Sequence, residues 1–124
     1  MKAIEKIGQM LYAIPLIVLG ILHMLKADLL KVWVPSILAG GTIWIYITGL
    51  GLIAAGLSII FQKKVYIACT LLGIMLLLFA LVVHLPGIFS DDPIRIKIGI
   101  TQVLKDCSMA GGAFILAGIY KKDL

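Results

Sequence analysis

Apolar residues along this chain fall into four blocks of about 20 residues, separated by short polar or turn-rich segments. A helix of about 20 residues spans the ~30 Å hydrocarbon core of a bilayer. The blocks therefore predict four transmembrane helices, at approximately Ile7–Leu25, Thr42–Phe61, Val65–His84 and Ile98–Tyr120. Because these blocks occupy most of the 124 residues, the predicted fold is all-α. It is a single membrane domain, residues 1–124, arranged as a four-helix bundle.

The first connection, Lys26–Gly41, is long and too apolar for a solvated loop, since it includes Leu29, Leu30 and Trp33. This pattern predicts a short interfacial or re-entrant segment between the first two helices. The Gly40-Gly41 pair predicts a turn before the second helix.

The other two connections carry clear turn signals. Gln62-Lys63-Lys64 predicts a tight turn that makes the second and third helices an antiparallel hairpin. Pro86 and Gly87 predict that the third helix ends at His84. Asp92 followed by Pro93 predicts the start of the fourth helix, with Asp92 as N-cap.

Small residues and a recurring face suggest how the first two helices pack. Gly49, Gly51, Ala54, Ala55 and Gly56 would let another helix approach the second block closely, which favours packing in lipid. In the first block, steps of three or four residues predict one inward face. Its members are Gly8, Tyr12, Pro15, Leu19 and His23.

The composition supports a membrane environment and excludes several classes of protein. Charged residues are 14% of the chain, against roughly 25% in soluble domains. The net charge of +5 comes from basic residues scattered among helix ends, which indicates membrane topology signals and lipid contact rather than nucleic-acid binding. Six lysines flank one membrane face and four basic residues flank the other. This bias predicts an inner (plasma) membrane protein with both termini cytoplasmic.

Cys69 and Cys107 lie at different predicted depths, too far apart for a disulfide, and no CxxC or HxxxH spacing is present. We therefore expect no metal site and no dithiol redox centre. Glycine loops that bind phosphate and nucleophile-elbow motifs are also missing from the sequence.

The alternating directions of the four helices bring hydrophilic and aromatic side chains to one level, in the outer half of the bundle. A charged residue near the centre of a membrane helix costs roughly 2.5–3.5 kcal/mol, so such residues normally face protein or water. The spacing thus predicts a polar, ligand-binding pocket. Its candidate residues are His23, Trp44, Tyr46, His84, Gln102, Lys105 and Asp106.

The chemistry of these residues suits a polar head group. Histidine can hydrogen-bond a quinone oxygen, Asp106 can orient one imidazole, and Lys105 can neutralise a developing oxyanion. A purely structural role for these side chains is the alternative interpretation. Histidines and aromatic residues are also common at membrane interfaces, and Lys105 can extend toward the interface. Lys105 and Asp106 can also form hydrogen bonds that only hold their helix to its neighbours.

Short motifs in a consistent order resemble the DoxX-like family of four-helix integral membrane proteins. They are Pro15 with Gly20 and His23, VPS at Val34–Ser36, WIYITG at Trp44–Gly49, AAG at Ala54–Gly56, VHLPG at Val83–Gly87 and LKDCSMAGGA at Leu104–Ala113. The resemblance implies a bundle similar to the membrane subunit of archaeal thiosulfate:quinone oxidoreductase. It assigns no catalytic residue here, so whether the chain is itself catalytic stays open.

Three functions follow from these observations. The first is a membrane subunit of a quinone-linked redox system, which would bind a quinone or other lipid-like ligand and contact a redox partner protein. The second is a small proton-coupled transporter, in which Asp106 would be the buried acid. The third is a non-catalytic assembly partner. Each is compatible with a homo- or hetero-oligomer.

Overall fold

The computed structural model describes residues 2–31 and 40–121, and within them all regular structure is helical. The elements in chain order are α1 (Lys2–Leu25), α2 (Ala27–Leu30), α3 (Thr42–Phe61), α4 (Val65–Leu78), a π-helical turn (Phe79–His84), α5 (Leu85–Ile88) and α6 (Pro93–Ile119). The predicted all-α class is confirmed.

Three helical spans are long and apolar enough to cross a membrane, which indicates a membrane protein. They are Lys2–Leu25, Thr42–Phe61 and Val65–Ile88, the last of which joins α4, the π-helical turn and α5. α6 has 27 residues, but charged side chains interrupt its apolar sequence. A fourth membrane crossing therefore stays a prediction.

Helix ends agree with the sequence where turn chemistry determines them. α3 has the predicted bounds, and the three residues Gln62–Lys64 turn the chain into α4 through left-handed conformations at Gln62 and Lys64, with φ of 54° and 57°. Gly40 and Gly41 also have positive φ, of 98° and 48°, and form the predicted turn before α3. Of the predicted interfacial or re-entrant segment, Ala27–Leu30 is a short helix, whereas residues 32–39 lie outside the described residues.

The predicted end of the third helix at His84 is wrong, because helical structure continues to Ile88. Pro86 lies in the first turn of α5, where the lack of an N–H costs least. The start of α6 is as predicted: the Asp92 carboxylate accepts a hydrogen bond from the Ile94 N–H at 3.0 Å, and Pro93 is the first helical residue.

α1 and α3 form a close antiparallel pair through small residues. Gly20 lies against Gly49, and one heptad away Gly56 lies against Ala13. Small residues allow this approach, which maximises van der Waals contact between helices in lipid. The inward face of α1 is accordingly shifted by one residue from the prediction. Its buried members are Gln9, Ala13, Leu16 and Gly20.

α4 and α6 form a second close antiparallel pair. The Phe114 ring packs on Gly73, and Gly99 packs on the backbone of His84 and Ile88. A buried core joins the two pairs toward the end of the bundle that holds the N-terminus and the Gln62–Lys64 turn, which we call the turn end. The opposite end, where α1 ends and α6 begins, is called the mouth end.

Candidate functional site

A cavity of about 630 Å³ lies between the two helix pairs toward the mouth end. It rests on the core, because Leu52 and Leu76 belong both to its lining and to the buried cluster. Met75 and Met109 also line it and pack against that cluster. The volume lies within the range of roughly 300–1,000 Å³ that is typical of small-molecule sites.

Six of the seven candidate site residues line this one cavity. They are His23 from α1, Trp44 from α3, His84 from the π-helical turn, and Gln102, Lys105 and Asp106 from α6. Tyr46 does not line it. Side chains two positions apart on an α-helix point about 200° away from each other around the helix axis, so Trp44 and Tyr46 cannot share a face.

The remaining lining is mostly aliphatic and aromatic. Leu19, Ile45, Phe79 and Val83 contribute to the walls, and Thr48 adds a hydroxyl that bonds to the Trp44 carbonyl at 2.7 Å. The cavity therefore combines an apolar interior with a few polar side chains, the usual composition of a site for a small amphiphilic molecule.

His84 and Asp106 form the closest polar pair of titratable side chains on the cavity wall, with 3.4 Å between His84 Nε2 and Asp106 Oδ2. Gly99 makes this pairing possible, because a Cβ there would lie 3.0 Å from the His84 carbonyl oxygen. Asp106 is only 7% exposed, and its Oδ2 has no hydrogen-bond partner among the described residues. A buried oxygen without a partner is rare in native proteins and often marks a functional position.

His23 is oriented by its own helix, since its Nδ1 lies 2.7 Å from the Leu19 carbonyl oxygen. A carbonyl oxygen can only accept, so Nδ1 carries the proton and donates. Room for the ring comes from α3, where a Cβ at Gly49 would lie 3.0 Å from His23 Cβ. Lys105 is exposed and Gln102 is half-buried, which places their flexible polar ends at the cavity rather than in the core.

The turn end contains polar contacts that the sequence did not indicate. Gln9 is 7% exposed, and its Nε2 donates to the Tyr120 hydroxyl at 2.7 Å. The Tyr12 hydroxyl donates to the Met109 carbonyl. Buried polar groups are therefore not confined to the half of the bundle that holds the cavity. Both bonds join the first long helix to the last and close the bundle beneath the cavity.

Within residues 2–31 and 40–121, no three histidine, cysteine, aspartate or glutamate side chains are grouped so that they could hold a metal ion. Cys69 is buried and Cys107 is exposed, and both are free thiols. The chemistry available at the cavity is therefore hydrogen bonding and proton exchange by imidazole, carboxylate, ammonium and amide groups.

No protein-family model matches the chain, and no curated protein or solved structure is detectably similar to it.

Proposed function

We propose that α6 is a fourth membrane-spanning helix and that both termini lie on the cytoplasmic side of an inner (plasma) membrane. α6 packs along α4, the π-helical turn and α5, and its 27 residues extend about 40 Å, more than a hydrocarbon core requires. Asp106 is buried against the bundle, as expected of an acid within a membrane helix. The surplus of lysines at the turn end supports this orientation.

The cavity supports a binding function for a membrane-soluble ligand of the quinone class. The observation that carries this proposal is one space of about 630 Å³ whose floor and walls are apolar and whose lining includes two imidazoles, a carboxylate, an amide and an ammonium group. An isoprenoid tail would contact the apolar walls, and the oxygens of the ring would bond to the polar side chains.

The side chains have distinct tasks in this proposal. Lys105 and Gln102 donate hydrogen bonds to the oxygens of the ring, and the two imidazoles exchange protons with it. Asp106 orients His84 across their 3.4 Å separation. The protein would serve as the membrane subunit of a quinone-linked redox system. The motifs that resemble the DoxX-like family support the same role.

The test measures the affinity of a short-tailed quinone by calorimetry in detergent micelles. Replacing Lys105 with Met and Gln102 with Leu removes two side-chain donors from the cavity. We expect the affinity to fall about tenfold or more, because a hydrogen bond to a charged group is worth roughly 1.5–3 kcal/mol.

The matched control is the double variant Lys97→Met and Thr101→Val, which changes the same helix at positions that do not line the large cavity. It should bind the quinone as the unmodified protein does. The proposed site would be refuted if both double variants lost quinone affinity equally. It would also be refuted if the measured heat of binding matched that of quinone partition into the micelle alone.

A proton-coupled transporter is the second candidate, and one observation favours it. Asp106 is a buried acid beside a cavity and faces a titratable imidazole, which is the kind of group that proton-coupled transporters need within the membrane. Substrate-dependent proton uptake by liposomes that contain the protein, abolished in Asp106→Asn and retained in Asp91→Asn, would favour transport over the redox role.

A further inference from the structure

The two histidines on the cavity wall each have one ring nitrogen facing an oxygen atom of the protein. For His23 this atom is the Leu19 carbonyl oxygen, 2.7 Å from Nδ1. A neutral imidazole has one N–H and one acceptor nitrogen. Because the proton of His23 is on Nδ1, its Nε2 is an acceptor.

His84 has the opposite arrangement. Its Nε2 lies 3.4 Å from the buried Asp106 Oδ2, an atom with no hydrogen-bond partner among the described side chains and backbone. With Asp106 ionised, a proton on Nδ1 instead would set two acceptor atoms face to face inside an apolar bundle, which is costly. In this ionised state of Asp106 the proton of His84 is on Nε2, and Nδ1 is the acceptor.

Only acceptors can distinguish the two redox forms of a quinone head group. The hydroxyl oxygens of a hydroquinone and the carbonyl oxygens of a quinone both accept hydrogen bonds, so Lys105 and the amide N–H groups of Gln102 serve either form. A hydroxyl can also donate, whereas a carbonyl cannot. Of the two forms of the ligand, only the hydroquinone can therefore donate to the acceptor nitrogens of His23 and His84.

We infer that this cavity binds the reduced, dihydroxy form of a quinone-class head group in preference to the dione. The inference rests on the proposed function and adds the redox form of the ligand to it. His23 and His84 are the residues that determine the preference, and Asp106 is a positioning residue that acts through His84.

The experiment compares three ligands with the same ring and short tail: the hydroquinone, the quinone and the dimethyl ether of the hydroquinone, which has the oxygens but no donors. Binding is measured by calorimetry under anaerobic conditions in detergent micelles. Two hydrogen bonds of about 1 kcal/mol each predict that the hydroquinone binds tighter than either other ligand by about thirtyfold.

The variants His23→Phe and His84→Phe keep a planar ring and remove the acceptor. Each should lower the ratio of hydroquinone to quinone affinity by about fivefold, since one hydrogen bond of about 1 kcal/mol is lost. Retained binding of the quinone shows that a variant folds. Asp106→Leu should lower the ratio as His84→Phe does, whereas Lys105→Gln should weaken both forms alike and leave the ratio unchanged.

Equal binding of hydroquinone and quinone would overturn the inference and leave the proposed function standing. Tighter binding of the quinone would overturn it as well, because the cavity would then favour a ligand that only accepts hydrogen bonds. If neither form bound more than it partitions into micelles, both the inference and the proposed function would fail.

Discussion

The close contact between α1 and α3 at Gly20 can be tested with a single methyl group. A Cβ at Gly20 would lie 2.5 Å from Ile53 Cγ1 and 2.6 Å from the Gly49 carbonyl oxygen. The second atom belongs to the backbone and cannot rotate away. Since ordinary contact begins at 3.4 Å, the two helices must separate by roughly 0.8 Å in Gly20→Ala.

The cost of this separation is that of overpacking a well-packed interface, about 1–3 kcal/mol. Alanine is also a better helix former than glycine by about 1 kcal/mol, and this gain masks part of the loss. Gly8 lies on the same helix and provides the control, because a Cβ there would meet nothing within 4 Å. Gly8→Ala gains the helix propensity without the clash, so the difference between the two variants isolates the contact.

The assay is the free energy of unfolding in mixed micelles, measured by denaturing-detergent titration or steric trapping. We expect Gly20→Ala to be less stable than Gly8→Ala by about 1–3 kcal/mol. A difference below about 0.5 kcal/mol, the range of ordinary surface substitutions, would show that α1 and α3 do not meet at Gly20.

Two further substitutions test the two ends of the bundle. Tyr120→Phe removes the hydroxyl that accepts a hydrogen bond from Gln9 and leaves a buried amide without its partner. The free energy of unfolding should therefore fall by about 1–3 kcal/mol. Unchanged stability would show that this hydrogen bond contributes nothing. Gly99→Ala places a Cβ 3.0 Å from the His84 carbonyl and should lower the ratio of hydroquinone to quinone affinity by displacing His84 from Asp106. Gly111→Ala, where a Cβ meets nothing within 4 Å, should bind as the unmodified protein does, and equal losses in both would refute the displacement.

Local signals were sufficient for the parts of the fold that local chemistry determines. The bounds of α3, the Gln62–Lys64 turn and the Asp92 N-cap follow from hydrophobic length, turn residues and capping, which act within a few positions. The start of α1 at Lys2 was missed because hydrophobicity reports where a helix meets lipid, not where its backbone hydrogen bonds begin. The end at His84 was missed because proline is tolerated in a first helical turn.

The sequence was sufficient to predict the depth of the candidate site in the bundle, but not the contacts between its side chains. Alternating helix directions brought six residues to one cavity, whereas the 200° angle between Trp44 and Tyr46 could have excluded Tyr46 beforehand. The pair of Gln9 and Tyr120 had no local signal, since the two residues are 111 positions apart and meet only through packing. The 3.4 Å approach of His84 to Asp106 likewise depends on the backbone of α5 touching Gly99.

The π-helical turn explains how one helix contributes to two regions from a single side. Leu76, Ala80, His84 and Ile88 are four residues apart, and each meets the bundle interior or α6. In a regular α-helix every step of four residues overshoots a full turn by about 40°, so this row would drift by about 120° from its first member to its last. The wider turn at Phe79–His84 offsets part of that drift. The same stripe therefore anchors the core through Leu76 and delivers an imidazole to the cavity two turns later.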